Sequence, residues 1–309
     1  MTLKSNHLKT LEVSGLEATL SNKNLENLKN SSIEELKLNN IFLDDDAMQQ
    51  IGSLKMLKSV GISNSSAIQR MNISELVKTF IDAKIGIEDF TIVTSNNDIE
   101  INASILFEFL KEKAETLKKL KVSCSVTNDE RKKDMKWNTT SNLEELYYNN
   151  YGNGNSNAMS IQLGFEMPKL TKLAIFNIDG DMNMVGTQYF PALERLYLLK
   201  AYNSQNGSNI RQQTIFNILK NCPNLKSLRI VCKELSDPQP VDVWCAFLCE
   251  MYKNYNAYLD LSGNYYGWST LCKDFEKNLK ETDLAIFYKY TKLKANYLDW
   301  KKEQLPIEW

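Results

Sequence analysis

One six-letter phrase, written nine times, constrains this chain more than any bulk property. It reads LKTLEV from Leu8, IEELKL from Ile33, LKSVGI from Leu57, IEDFTI from Ile87, LKKLKV from Leu117, LEELYY from Leu143, LTKLAI from Leu170, LERLYL from Leu193 and LKSLRI from Leu225. Successive copies start 25, 24, 30, 30, 26, 27, 23 and 32 residues apart. One such phrase is a weak strand signal. Nine in succession predict a stack of similar units, each too small to bury its own apolar face and completed by its neighbours.

Between the phrases the chain often supplies a helix. The segments FLDDDAMQQIGSL, NISELVKTFIDA, INASILFEFLKEKAETL, IRQQTIFNILKNC, VDVWCAFLCEMYKN and WSTLCKDFEKNL each space apolar residues as a helix does. Helix-starting signals accompany several of them: the run Asp44 to Asp46, Asn72 with Glu75 three residues on, and Pro240. The stretches 125–142, 149–160 and 179–189 are polar and carry no helical stripe, so their crossovers are expected to be loops. A tenth copy is expected at NAYLDLSGN, on Leu259, Leu261 and Asn264, and an eleventh at Leu284 and Ile286.

Together these copies resemble the leucine-rich repeat family over about residues 8 to 290. NCPNLKSLRI and FPALERLYL are most similar to the intracellular repeats of F-box and ribonuclease-inhibitor-type proteins, in which a helix follows each strand. The resemblance implies an α/β fold: a curved solenoid, or horseshoe, with a concave, mainly parallel sheet and convex helices and loops. It implies about ten irregular repeats over 1–290 and a C-terminal capping segment over 291–309, with Trp300 as its anchor. The chain departs from the family three residues after the last strand leucine, where Asn or Cys is favoured. There it has Leu16, Ile41, Ser65, Ser95, Ser125, Tyr151, Ile178, Ala201 and Lys233, and only Asn264 fits.

Charge and motifs remove several classes of function. Lys plus Arg (37) nearly balances Asp plus Glu (38), so no global field draws the chain to nucleic acid or an anionic membrane. No apolar run approaches the roughly 18 residues needed to span a bilayer. The first residues lack the features of a secretory signal, so an intracellular, cytoplasmic or nuclear protein is expected. The six cysteines (124, 222, 232, 245, 249 and 272) form no framework and read as buried free thiols, Cys245 and Cys249 on one helical face. The lone histidine, His7, precedes the repeats, and no phosphate loop, dinucleotide fingerprint or HExxH is present. The acidic runs at 44–46 and 179–181 lack the spacing of a calcium loop and read as a helix start and a solvated turn. Neither a catalytic site, nor a metal, nor a cofactor is expected.

A binding face is expected instead. If the phrase's leucines point inward, its third, fifth and seventh letters lie on the concave face. In the first three copies these are Thr10, Glu12, Ser14, Glu35, Lys37, Asn39, Ser59, Gly61 and Ser63, an ordinary wet surface. In the later copies Phe176, Leu199 and Val231 should align as an exposed apolar stripe flanked by Tyr147, Tyr197, Lys172, Arg195 and Arg229. Aromatic and Arg residues around an apolar strip are typical of protein contact sites, so a protein partner is expected there. Resemblance suggests more specific versions: a substrate receptor of a ubiquitin ligase, although no F-box precedes Leu8, an enzyme inhibitor or GTPase activator, or a ribonucleoprotein or ribosome-bound factor using Lys121, Lys172 and Arg195.

Overall fold

Every one of the nine phrases becomes a strand, and every strand begins at the third letter of its phrase. The structure, a computed structural model, describes residues 8–21, 25, 28, 31–64, 73–83, 85–94, 100–127, 141–150, 167–176, 189–199, 210–231, 235–236 and 258–260. These fall in two compact units, Met1–Gly180 and Asp181–Trp309. The first holds β1 (Thr10–Leu20), β2 (Glu35–Leu43), β3 (Ser59–Asn64), β4 (Asp89–Thr94), the short β5 (Glu100–Asn102), β6 (Lys119–Thr127), β7 (Glu145–Asn150) and β8 (Lys172–Phe176). The second holds β9 (Arg195–Leu199), β10 (Ile210–Arg211), β11 (Ser227–Val231), β12 (Leu235–Ser236) and β13 (Tyr258–Asp260).

In the first unit the strands follow one another in the order β1-β2-β3-β4-β6-β7-β8, and β5 pairs with the far end of β6. In the second, β11 lies between β9 and β13, and β10 pairs with β12 apart from them. All pairings among the described strands are parallel, so the fold is α/β with a mostly parallel sheet. Register is set by the phrase itself: Thr10, Glu35, Ser59, Asp89, Lys119, Glu145 and Lys172 are successive partners in one row. Arg195, Ser227 and Tyr258 form the corresponding row in the second unit. A slip of one residue would turn each leucine out of the core, which is why letter aligns with letter.

From the second copy onward, the first, fourth and sixth letters are buried wherever they are described, from Ile33, Leu36 and Leu38 to Leu225 and Leu228. Against them pack α1 (Asp45–Gly52), α2 (Ile73–Asp82) and α3 (Ala103–Glu112); α4 (Gln212–Asn221) lies in the second unit. Their buried stripes are Ala47, Met48 and Ile51, then Ile73, Leu76, Val77 and Phe80, then Ala103, Leu106, Phe109 and Leu110. The Asp44 carboxylate caps α1 by accepting a hydrogen bond from the Ala47 amide at 2.7 Å, and Asp45 and Asp46 follow in the first turn, which is the role expected for that acidic run. The segments expected to be helical from 101 and 210 instead open as strands. Ile101 and Asn102 belong to β5, and Asn102 then caps α3 through Ser104. The buried Lys113 ammonium donates to the Ala83 carbonyl beyond the end of α2 at 2.7 Å, and burial lowers its pKa.

The second letter carries a feature of its own. Its carbonyl accepts two amides from the next copy: Lys9 O from Glu34 and Glu35 at 2.7 and 3.0 Å, and so on to Glu144 O from Thr171 and Lys172 at 2.8 and 3.1 Å. Side chains at this letter therefore stand side by side across the sheet, and their charges alternate: Lys9, Glu34, Lys58, Glu88, Lys118, Glu144. Glu34 pairs with Lys9 at 2.9 Å and Lys58 at 3.2 Å, and Glu88 with Lys118 at 2.6 Å. Hydrogen bonds from these lysines hold the Glu34 and Glu88 carboxyls below the usual range. Exposed pairs contribute little individually and weaken with salt, but their order discriminates among stacking registers.

At the positions where the family favours Asn, Ile41 and Ser125 are buried inside the prolonged strands β2 and β6. Asn40, at φ 55°, makes the turn that returns Ile41 and Leu43 to the core, a left-handed conformation Asn tolerates better than most residues. Where α1 meets α2, a Cβ added at Gly52 would lie 2.5 Å from Thr79 Cγ2. The gain in helix propensity from Gly52→Ala is therefore expected to be outweighed by this overlap, with a net loss of about 1–2 kcal/mol in urea unfolding.

Among the described residues no helix is long and apolar enough to cross a membrane. His7, Asn72, the runs 128–140, 151–166 and 177–188, the segments from 241 and 268 expected to be helical, Asn264, the expected eleventh copy and the expected cap at 291–309 lie outside them.

Candidate binding face

In each unit the third and fifth letters project from the face of the strands opposite the leucines. Lys119 and Arg195 are exposed there, while Lys121, Tyr147, Lys172 and Tyr197 are half-buried. On β6 to β8 the charged groups are organised around Glu145. Its Oε1 lies 2.8 Å from Lys172 Nζ and 3.7 Å from Lys119 Nζ. Beside it the Lys121 ammonium sits 5.1 Å from the centre of the Tyr147 ring, in range of a cation–π attraction. Tyr147 faces Ala174 across the strand pair, so its ring reaches Phe176 diagonally, two residues further on. The two ring centres are 4.8 Å apart, tilted by 35°. Tyr147 is thereby held by a ring and a cation.

This arrangement corrects the expected exposed stripe in one respect. Phe176 is only 6 % exposed and its neighbour Ala174 has no exposed surface. The seventh-letter row passes from exposed Ser14 through half-buried Asn39, Ser63 and Val93 to Ser123, Asn149 and Phe176, all buried. Alternation assigns a side chain to a face, whereas burial depends on what else rests on that face. Here the Tyr147 ring rests on Phe176, and Asn149 Nδ2 donates to Ser123 Oγ at 3.3 Å. Phe176 thus serves as a seat for Tyr147, and the accessible band runs along the third and fifth letters.

In the second unit β9 and β11 bring Arg195 opposite Ser227, Tyr197 opposite Arg229 and Leu199 opposite Val231. The side chains of Leu199, Arg229 and Val231 lie outside the described residues. The sequence reading passed over Lys119 and the alternating second letters. Both were legible once the copies are written beneath one another, because zero-offset register makes each column of letters a row in space.

One carboxylate on the face is held at a disadvantage. Burial raises the pKa of Asp89; Lys119 opposes the rise, and Glu145 and Glu35 add to it. A carboxyl that binds its proton more tightly in the folded chain lowers stability as pH rises through the interval above its ordinary value, and the whole penalty is present at neutral pH. Asp89→Asn is therefore expected to raise Tm at pH 7, with an advantage that shrinks as the pH falls through the interval above the ordinary carboxylate value and is gone below about 4. Melting curves across that range test this, and a lower Tm for the variant at pH 7 would contradict it. The thiols of Cys124 and Cys222 are buried and pushed up to about 12, which keeps them protonated and unreactive at neutral pH.

Compared with models of known protein families and with curated proteins, the chain matches none.

Proposed function

We propose that this chain is a leucine-rich repeat protein without catalytic activity, a curved solenoid that holds a protein partner against the concave face of its later repeats. The observation that carries this reading is the pinned Tyr147. It is a half-buried aromatic fixed between Lys121 and Phe176 and flanked by the Lys119–Glu145–Lys172 cluster. An aromatic anchor already held in place loses little conformational entropy when a partner closes over it. Lys172 borders it in the first unit, and Arg195, Tyr197, Leu199, Arg229 and Val231 extend the same letters in the second. The alignment of seven phrases in one register in the first unit, and of two more in the same letter-to-letter register in the second, supports the repeat assignment.

Affinity capture from the native cell with the full chain tests the reading, repeated with Tyr147→Ala, Tyr197→Ala and Arg229→Glu. The expected result is a protein partner whose recovery falls at least tenfold with one or more variants and survives nuclease treatment. If all three variants retain every partner, the assigned face is wrong; if nuclease releases the partners, a ribonucleoprotein role replaces this one.

A further inference from the structure

Resting on the binding-face reading, the partner's chemistry follows from the distribution of charge along the band. On β1 to β4 the third and fifth letters are Thr10, Glu12, Glu35, Lys37, Ser59, Gly61, Asp89 and Thr91: one cation against three anions, a net −2. On β6 to β8 they are Lys119, Lys121, Glu145, Tyr147, Lys172 and Ala174: three cations against one anion, a net +2. The band is therefore bipolar, although the whole chain is nearly neutral at −1. Six strand spacings of about 4.8 Å separate β1 from β8, so the two poles share roughly 29 Å.

We infer that the occupant of this band is a polypeptide segment with segregated charge, crossing the strands with its acidic part over Lys119, Lys121 and Lys172 and its basic part over Glu12, Glu35 and Asp89. Opposite poles attract the matched orientation and repel the reversed one, so they fix direction as well as affinity. The aromatic anchor Tyr147 lies at the basic pole, where an acidic segment bearing apolar residues gains both contacts. Where the two poles meet, Asp89 is a half-buried carboxylate whose pKa burial raises, with Lys119 on the paired strand opposing the rise and Glu145 and Glu35 adding to it. A cation arriving there stabilises the ionised form that burial disfavours. A carboxylate kept where it lowers stability is what a surface built for an incoming charge contains.

The test uses the full chain and synthetic peptides of about twelve residues, long enough to cover the span at about 3.3 Å per residue. One peptide has four glutamates, a neutral centre containing a leucine, and four lysines; a second has the same composition with the charges alternating. The segregated peptide is expected to bind at least tenfold more tightly at low salt and to lose that margin at high salt. Lys119→Glu/Lys172→Glu, which makes the band acidic throughout, should abolish this preference and gain affinity for an all-lysine peptide. The milder Lys119→Gln/Lys172→Gln, checked for folding by circular dichroism, should reduce it in the same direction. Equal binding of the two peptides, indifference to both variants, or salt-sensitive self-association blocked by the same substitutions would overturn the inference, the last because the occupant would be a second copy of the chain. Capture separates the two levels. If Tyr147→Ala releases the partner and Lys119→Glu/Lys172→Glu does not, the face stands and the charge-segregated occupant falls. If neither releases it, and Tyr197→Ala and Arg229→Glu do not either, the face itself falls.

Discussion

Phe90→Ala is expected to destabilise the first unit by about 3–5 kcal/mol, the largest single effect in the described core. Phe90 occupies the fourth letter of its phrase, where most other copies have leucine, and it is fully buried. Its ring centre lies 5.9 Å from that of Phe80 on α2, edge-on at 76°, and 4.6 Å from that of Phe109 on α3, tilted by 40°. The copies on either side start 30 residues from Ile87, the first letter of Phe90's own phrase, and these longer units carry the ten-residue helices that supply the other two rings. Truncation leaves a cavity bordered by three elements, and the neighbouring rings lose an edge-to-face and an offset contact. Urea unfolding followed by circular dichroism measures the loss. Phe90→Leu should recover a substantial part of it by restoring the residue type of the other copies. A loss below about 1 kcal/mol for the alanine variant would mean that the three rings do not form a common core.

The second large effect has the opposite sign. Tyr148 stands at the sixth letter of its phrase, where all the other copies have Val, Ile or Leu, and it is buried, as are those described from the second copy onward. Its hydroxyl finds no hydrogen-bond partner among the described residues, and burial drives its pKa upward, with Cys124 adding to the effect. An unsatisfied buried hydroxyl costs about 1–3 kcal/mol, so Tyr148→Phe, which keeps the ring and removes the oxygen, is expected to stabilise the fold by about 1–2 kcal/mol. Thermal and urea unfolding of the single variant decide the matter. A loss of stability would mean that the oxygen has a partner, and the thiol of Cys124 is the neighbour to test next.

The strand register was legible in the sequence because a single column of leucines has to be buried in every copy, which leaves no freedom to slip. The helix over 45–52 was legible for a local reason, an Asp cap followed by apolar residues at helical spacing. Burial on the opposite face was not legible. That Tyr147 would lie on Phe176 depends on a diagonal contact between two strands whose phrases start 27 residues apart, and no periodicity within one strand encodes it. The three-residue β5 and the two-residue β10 and β12 escaped because segments so short carry no measurable alternation, and the helical pattern following β5 and β10 absorbed their letters. Lys121 was legible as a cation, but its place over the Tyr147 ring depends on the neighbouring strand and was not.

The alternating second letters also impose a parity on the chain. Removing one unit, residues 58–87, would bring Glu34 beside Glu88, two carboxylates at strand spacing. Removing two, residues 58–117, would bring Glu34 beside Lys118 and restore an ion pair. Even and odd excisions among the first six units are thus expected to differ in this column, by the modest amount that exposed pairs contribute. The apolar core alone would leave that choice free; the charges on the wet edge of the phrase bias it.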